Sequence, residues 1–209
     1  MPKVTVEKAK NFIKTVVEGW MLGDLRRITE LEVIPNAVGN CNFPIALYTL
    51  SCMDFLGYLI SPKDLDALGN TKERILGYID QTFNNNDKEK LKPHEEYFVN
   101  VFRHGLSHEF FPKMGGVSRL QPEVIWSDKG YIILDADKLF EMFERSVENL
   151  YKIVEGEEVS KRIIARLRSK AEKNKKFKSL ILDTLLIGKA PFTSAASTST
   201  TTLFPEDEH

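Results

Sequence analysis

The sequence predicts an all-α fold, an antiparallel helical bundle with one small inserted β-hairpin, and three observations carry that reading. Apolar residues recur at helical spacing through most of the chain. The period changes once, near residues 123–134, where VIW and YIIL flank the turn residues SDKG as two short β-branched and aromatic runs. With 209 residues, 42% hydrophobic and 28% charged, the chain can bury one substantial core and lies far from the disordered class.

Residues 4–20 place Phe12, Ile13, Val16, Val17 and Trp20 on one helical stripe. A connection with Pro35, Gly39 and Asn40 follows. Asn42 is the expected N-cap, with Pro44 in the first turn, of a strongly apolar helix running to about Ile60. Ser61-Pro62 opens a short turn that Gly69 ends. Asn70 or Thr71 caps a helix bearing Ile75, Leu76, Ile79 and Phe83, which the run NNND at 84–87 ends. Pro93 begins another helix, with Tyr97, Phe98, Val101, Phe102 and Leu106 as its apolar face, and Pro112 stops it near Phe110. After the hairpin, Asp135 or Asp137 caps a helix carrying Leu139, Phe140, Phe143, Val147, Leu150 and Tyr151. Gly156 breaks it, and a last helix runs from about 159 to 186. Three segments result: a helical bundle with its hairpin at 1–155, a basic C-terminal helix at 156–188, and a flexible Ser/Thr-rich tail at 189–209.

Composition narrows the function classes. A net charge of −1 gives no global attraction to nucleic acid or membrane, so any such attraction is local. Cys41 and Cys52 fit no zinc spacing or disulfide framework and read as small buried residues of a reducing compartment. MPKVTVEKAK has no apolar signal-peptide region. The most apolar stretch, residues 42–60, is interrupted by Pro44, Asp54 and Gly57 and reads as a buried core helix, with no membrane partner. The expected location is cytoplasmic.

The chemistry concentrates in FRHGLSHEFFPK, residues 102–113, which holds two of the chain's four histidines. An arginine offers a fixed charge and a planar fork of donors suited to phosphate oxygens, and a histidine exchanges protons near neutral pH. Arg103 and His108 are together sufficient for metal-free RNA cleavage, the imidazole activating a ribose 2′-hydroxyl and the guanidinium stabilising charge on the phosphate. On a regular α-helix, side chains five apart point about 140° from each other. They converge only where the helix ends or unwinds, which Gly105 and Pro112 permit. His104 and His108, four apart and followed by Glu109, could share a metal ion, but no third ligand stands at a recognised spacing, so no metal and no cofactor is expected. The plainer reading pairs Arg103 with an acid such as Glu96 or Asp54 and leaves the histidines at a helix C-terminus.

This segment resembles the signature of the HEPN family: an arginine, a polar residue, and a histidine after four to six intervening positions. Here these are Arg103, His104 and His108, flanked by Phe102, Leu106 and Phe110. The resemblance implies a HEPN-like helical bundle and a metal-independent endoribonuclease, with a composite site formed where two subunits of a homodimer join their motifs. Arg103 and His108 would be catalytic, with His104 supporting. Some members are toxin-like and pair with an antitoxin that modifies a tyrosine two places after the histidine; here that position is Phe110. Other members bind nucleotide, RNA or a partner protein without cleaving, which is the alternative expectation.

Three further features carry expectations. From Lys161 to Lys178 the chain has nine Lys or Arg and one acid, Glu172, either a solvated face or a surface for RNA or an acidic protein. Asp54 stands inside an apolar helix, where an unpaired charge is costly; if it pairs with Arg103, it orients that arginine. Trp126 and Tyr131 on the hairpin serve cross-strand packing or base stacking.

Overall fold

A computed structural model describes residues 2–35, 39–63, 70–95, 98–103, 105–106, 115–128 and 131–173. Among them the chain is mostly helical, with a small three-stranded sheet. Helices α1 (Pro2–Phe12) and α2 (Gly23–Thr29) are joined without a break by a π-helical stretch, Ile13–Leu22. The expected helix therefore continues well past Trp20. Ala9, Phe12, Ile13, Val16 and Val17 are buried at α-helical spacing, and beyond them the buried position is Leu22, while Trp20 of the expected stripe is exposed.

Helix α3 (Asn42–Ile60) is the centre of the core, and α4 (Thr71–Thr82), α6 (Ala136–Val154) and α7 (Glu157–Lys173) pack around it. By length and composition α3 could cross a membrane, but Ile45, Leu50, Met53, Leu56 and Leu59 are fully enclosed by its neighbours. Each such buried side chain contributes roughly 1.5–3 kcal/mol, which makes α3 the helix most of the fold depends on. Its start differs from expectation. Gly39, Asn40 and Cys41 all have positive φ, and left-handed Cys41 occupies the cap position. Asn42 is already helical, and its side-chain amide donates to the Val117 carbonyl at 3.1 Å, tying α3 to the sheet.

The run at 84–87 also works differently. Helix α4 stops at Thr82, and Asn84 caps the next short helix, α5 (Asn85–Leu91), by accepting from the Asp87 N–H at 2.9 Å. Pro93 lies in a 3₁₀ turn, Lys92–His94, and the chain then winds as a π-helix over Phe98–Arg103 and again at 105–106. The helix expected here is thus helical but π-wound in its described part.

The hairpin forms as expected: β2 (Ile125–Asp128) pairs antiparallel with β3 (Tyr131–Asp135), Trp126 facing Ile133. The sequence gives no warning of a third strand, β1 (Gly115–Ser118), which runs parallel to β3 on its other side. Gly115 makes this possible, since a Cβ there would sit 2.7 Å from the Ile132 carbonyl oxygen. Asp135 caps α6, accepting from the Lys138 N–H at 2.8 Å, and Gly156 separates α6 from α7, both as expected. Ile163, Ile164 and Leu167 of α7 join the same core. The turn expected to end at Gly69, the C-terminal helix beyond 173 and the tail at 189–209 lie outside the described residues.

Candidate phosphate-handling site

The site is built where α3, α4, α7 and the π-wound segment meet. A carboxylate in the middle of an apolar helix must find cations, and Asp54 finds two. Arg74, in the first turn of α4, places its Nε 2.5 Å from one carboxylate oxygen, and the Arg103 guanidinium lies 3.6 Å from the other. The second distance is an ion-pair separation, too long for a hydrogen bond. All three side chains are largely buried, at 13% exposure for Asp54, 17% for Arg74 and 19% for Arg103, so their attraction is screened less than a surface pair's.

Gly57 sets the approach of the two helices. A Cβ at that position would stand 1.9 Å from the Arg74 carbonyl oxygen, so only glycine lets α4 lie close enough for Arg74 to reach Asp54, three residues earlier on α3. Arg74 also donates to the Thr71 hydroxyl at 3.2 Å, which fixes the guanidinium from its own helix.

Beside this cluster is a small cavity of about 140 Å³, lined by Ser51, Asp54, Phe55, Tyr58, Arg74 and Lys170. The ammonium of Lys170 sits 4.6 Å from the centre of the Tyr58 ring, and the Arg166 guanidinium 5.1 Å from it, so the aromatic face holds two cations of α7 in place. Arg166 donates to the carbonyls of Tyr58, Ser61 (2.8 Å) and Lys63 (2.6 Å), and Arg162 to that of Ile60 (2.7 Å). The Tyr58 and Ile60 carbonyls belong to the last turn of α3, where carbonyls lack partners within the helix, and those of Ser61 and Lys63 follow its end. Two charges of the basic helix are thus structural caps. A third, Lys161, pairs with Glu157 at 2.7 Å.

Of the three residues expected to be catalytic, Arg103 is described and is brought to Asp54. His104 and His108, which also carry the metal alternative, lie outside the described residues, as does Glu96. Arg103 belongs to the π-helical segment, not to a regular α-helix. Cys52, two residues before Asp54 and so about 160° from it around α3, is held as a thiol: burial first, and the charge of Asp24 second, push it up to about 12. Cys52 is buried as expected, while Cys41 is half-buried. Trp126 and Tyr131 are both exposed on the sheet.

Sequence reasoning missed Arg74, and it gave Lys170 only as part of the basic run at 161–178, not as a neighbour of Asp54. A lone acid in an apolar helix predicts a cationic partner, but which one is decided by how α4 and α7 cross α3. Comparison with family models, with curated proteins and with solved structures gives no match, so the reading below rests on the residues themselves.

Proposed function

We propose that this chain is a HEPN-type, metal-independent endoribonuclease acting as a homodimer, with Arg103 and His108 as its catalytic pair and His104 in support. The observation that carries the reading is the setting of Arg103, held by buried Asp54 on a helix wound as a π-helix. Hydrogen bonds in such a helix run from residue i to i+5, and His108 stands five residues after Arg103. One further turn of the same winding would return position 108 to the side of Arg103, where an α-helix would carry it about 140° away.

In the reaction the imidazole of His108 takes the proton of a ribose 2′-hydroxyl. The freed oxygen attacks the adjacent phosphorus, the bond to the 5′-oxygen breaks, and a proton delivered to that oxygen completes the leaving group. The products are a 2′,3′-cyclic phosphate and a 5′-hydroxyl. Arg103 stabilises the extra negative charge on the phosphoryl oxygens, and Asp54 is a positioning residue that sets the direction of its fork.

The test is RNA cleavage in the presence of a chelator by wild type, His108→Ala and Arg103→Ala. Loss of at least about a hundredfold in both variants is expected. Equal activity in all three overturns the mechanism. One observation favours a second reading, a non-catalytic module for nucleotide, RNA or a protein partner: Arg103 is engaged by Asp54 and only 19% exposed. Binding of RNA with no cleavage by wild type would select that reading.

A further inference from the structure

We infer that the groove between α1 and α7 is a docking site for the chain's own C-terminal tip, Leu203-Phe204-Pro205-Glu206-Asp207-Glu208. The inference does not depend on the ribonuclease reading.

The first argument is the groove. Val4 and Lys8 line it from α1, and Lys161, Ile164, Ala165 and Arg168 from α7. The α7 residues stand at i, i+3, i+4 and i+7 and the α1 residues at i and i+4, so each set shares one face of its helix. The middle is apolar and open: Val4 is 58% exposed and Ala165 is exposed, beside the buried Ile164. Its volume of about 580 Å³ lies within the roughly 300–1,000 Å³ of pockets that take sizeable apolar groups, enough for a leucine and a phenylalanine side chain.

The second argument is charge. Among the described residues no acid lines the groove. Lys161 is matched by Glu157 at 2.7 Å, but Lys8 and Arg168 meet no carboxylate at ion-pair distance among the described residues. Two unmatched cations therefore flank an exposed apolar surface. Beyond Asp183 the acids of the chain are Glu206, Asp207 and Glu208, and they directly follow Leu203, Phe204 and Pro205. An apolar pair and three acids thus stand within six residues, preceded by a stretch, 190–202, that carries no charge.

The third argument is reach. If the last helix runs to 186, as its sequence pattern predicts, the tip must come back from 186 to 164, about 33 Å at 1.5 Å per residue. Extended, residues 187–202 span roughly 50 Å. A tethered segment meets its site at an effective concentration on the order of millimolar. Docking then needs only the modest affinity that a small apolar contact and two exposed ion pairs supply. A tip so held is a built-in competitor for any other anion drawn to this face of α7.

The experiment uses the full chain with Phe204 replaced by the photo-crosslinker benzoylphenylalanine, irradiated when dilute and mapped by mass spectrometry. The expected product has the mass of one chain, with position 204 joined to Val4, Ile164 or Ala165. Lys8→Glu with Arg168→Glu should lower its yield about fivefold. Adding Glu206→Lys, Asp207→Lys and Glu208→Lys to that variant restores the yield, which a damaged fold would not do. Lys14→Glu with Arg27→Glu, the same charge change at exposed positions outside the groove, stays within about twofold of wild type. Crosslinks scattered over the surface, equal losses in the two double variants, or a failed restoration overturn the docking site. A product with the mass of two chains overturns it too, in favour of a tip seated on a second copy. No arm of the test uses RNA, so its outcome and that of the cleavage assay are read separately.

Discussion

Two arginines, the buried Arg119 and the partly buried Arg103, each meet a carboxylate, and they are built for different ends. Arg119 is 4% exposed; it donates to both oxygens of Asp137 at 2.9 Å and to the carbonyls of Leu31 (3.1 Å), Asn40 (3.2 Å) and Thr29 (2.6 Å). It stitches the end of α2 and the connection before α3 to the start of α6. Its partners are the protein's own main chain, and the charge is matched one to one. At Arg103 the carboxylate is the shared group: Asp54 meets Arg74 on one oxygen and Arg103 on the other, beside a small cavity. Charge serves as a staple in one region and borders a cavity in the other. The first should govern stability and the second activity.

The largest expected effect breaks the staple. Arg119→Ala strands the Asp137 carboxylate and three carbonyls, and should cost about 3–5 kcal/mol, read as a shift of the urea midpoint. A cost below about 1 kcal/mol would remove the distinction between the two clusters. Next comes Gly57→Ala. Its methyl group falls on the Arg74 carbonyl, so α3 and α4 must part, at about 1–3 kcal/mol. Unlike the Arg119 change it should also lower cleavage under the proposed mechanism, because Arg74 moves away from Asp54, the residue that positions Arg103. Thermal unfolding together with the cleavage assay checks both halves.

Arg103→Lys is expected to be milder for the fold, below about 1 kcal/mol, since Asp54 keeps Arg74. Lysine retains the charge but not the planar fork, so under the proposed mechanism cleavage should fall tenfold or more at nearly unchanged melting temperature. A loss of stability as large as that of Arg119→Ala would make Arg103 a second staple.

The legible parts of the fold follow from local chemistry. The stripe of α6, its Asp135 cap, the Gly156 break and the presence of the hairpin can all be read from neighbouring residues. What could not be read depends on distant partners. The strand at 115–118 looks like a glycine loop until β3 is beside it, and Asn42 looks like a cap until Val117 takes its amide. The π winding of 13–22 was not legible, because Phe12, Ile13, Val16 and Val17 keep α-helical spacing and only the burial of Leu22 in place of Trp20 departs from it. At the site, Asp54 was legible as a carboxylate in need of a cation, with Arg103 as one candidate. Arg74 and Lys170 were not, because twenty residues of chain separate Arg74 from Asp54, more than a hundred separate Lys170, and only the helix crossings make them neighbours.

The smallest effect concerns Asp135, which adjoins the staple and is fully buried. Burial raises its pKa above the ordinary 3.8, and the N–H groups of Lys138 and Gln121, donating at 2.8 and 2.6 Å, oppose that rise without cancelling it. Between 3.8 and the raised value the folded chain therefore holds a proton that the unfolded chain has released. By linkage, stability falls as pH rises through that window. Asp135→Asn does not titrate there. It still caps α6, but it turns one N–H donor toward another and so starts less stable, by about 1–2 kcal/mol. The wild-type advantage over Asp135→Asn should accordingly be greatest below pH 3.8 and shrink on going to neutral pH. Denaturant unfolding of both proteins at a series of pH values measures the difference. An advantage that grows with pH would mean that the two N–H bonds outweigh burial and that Asp135 is held ionised.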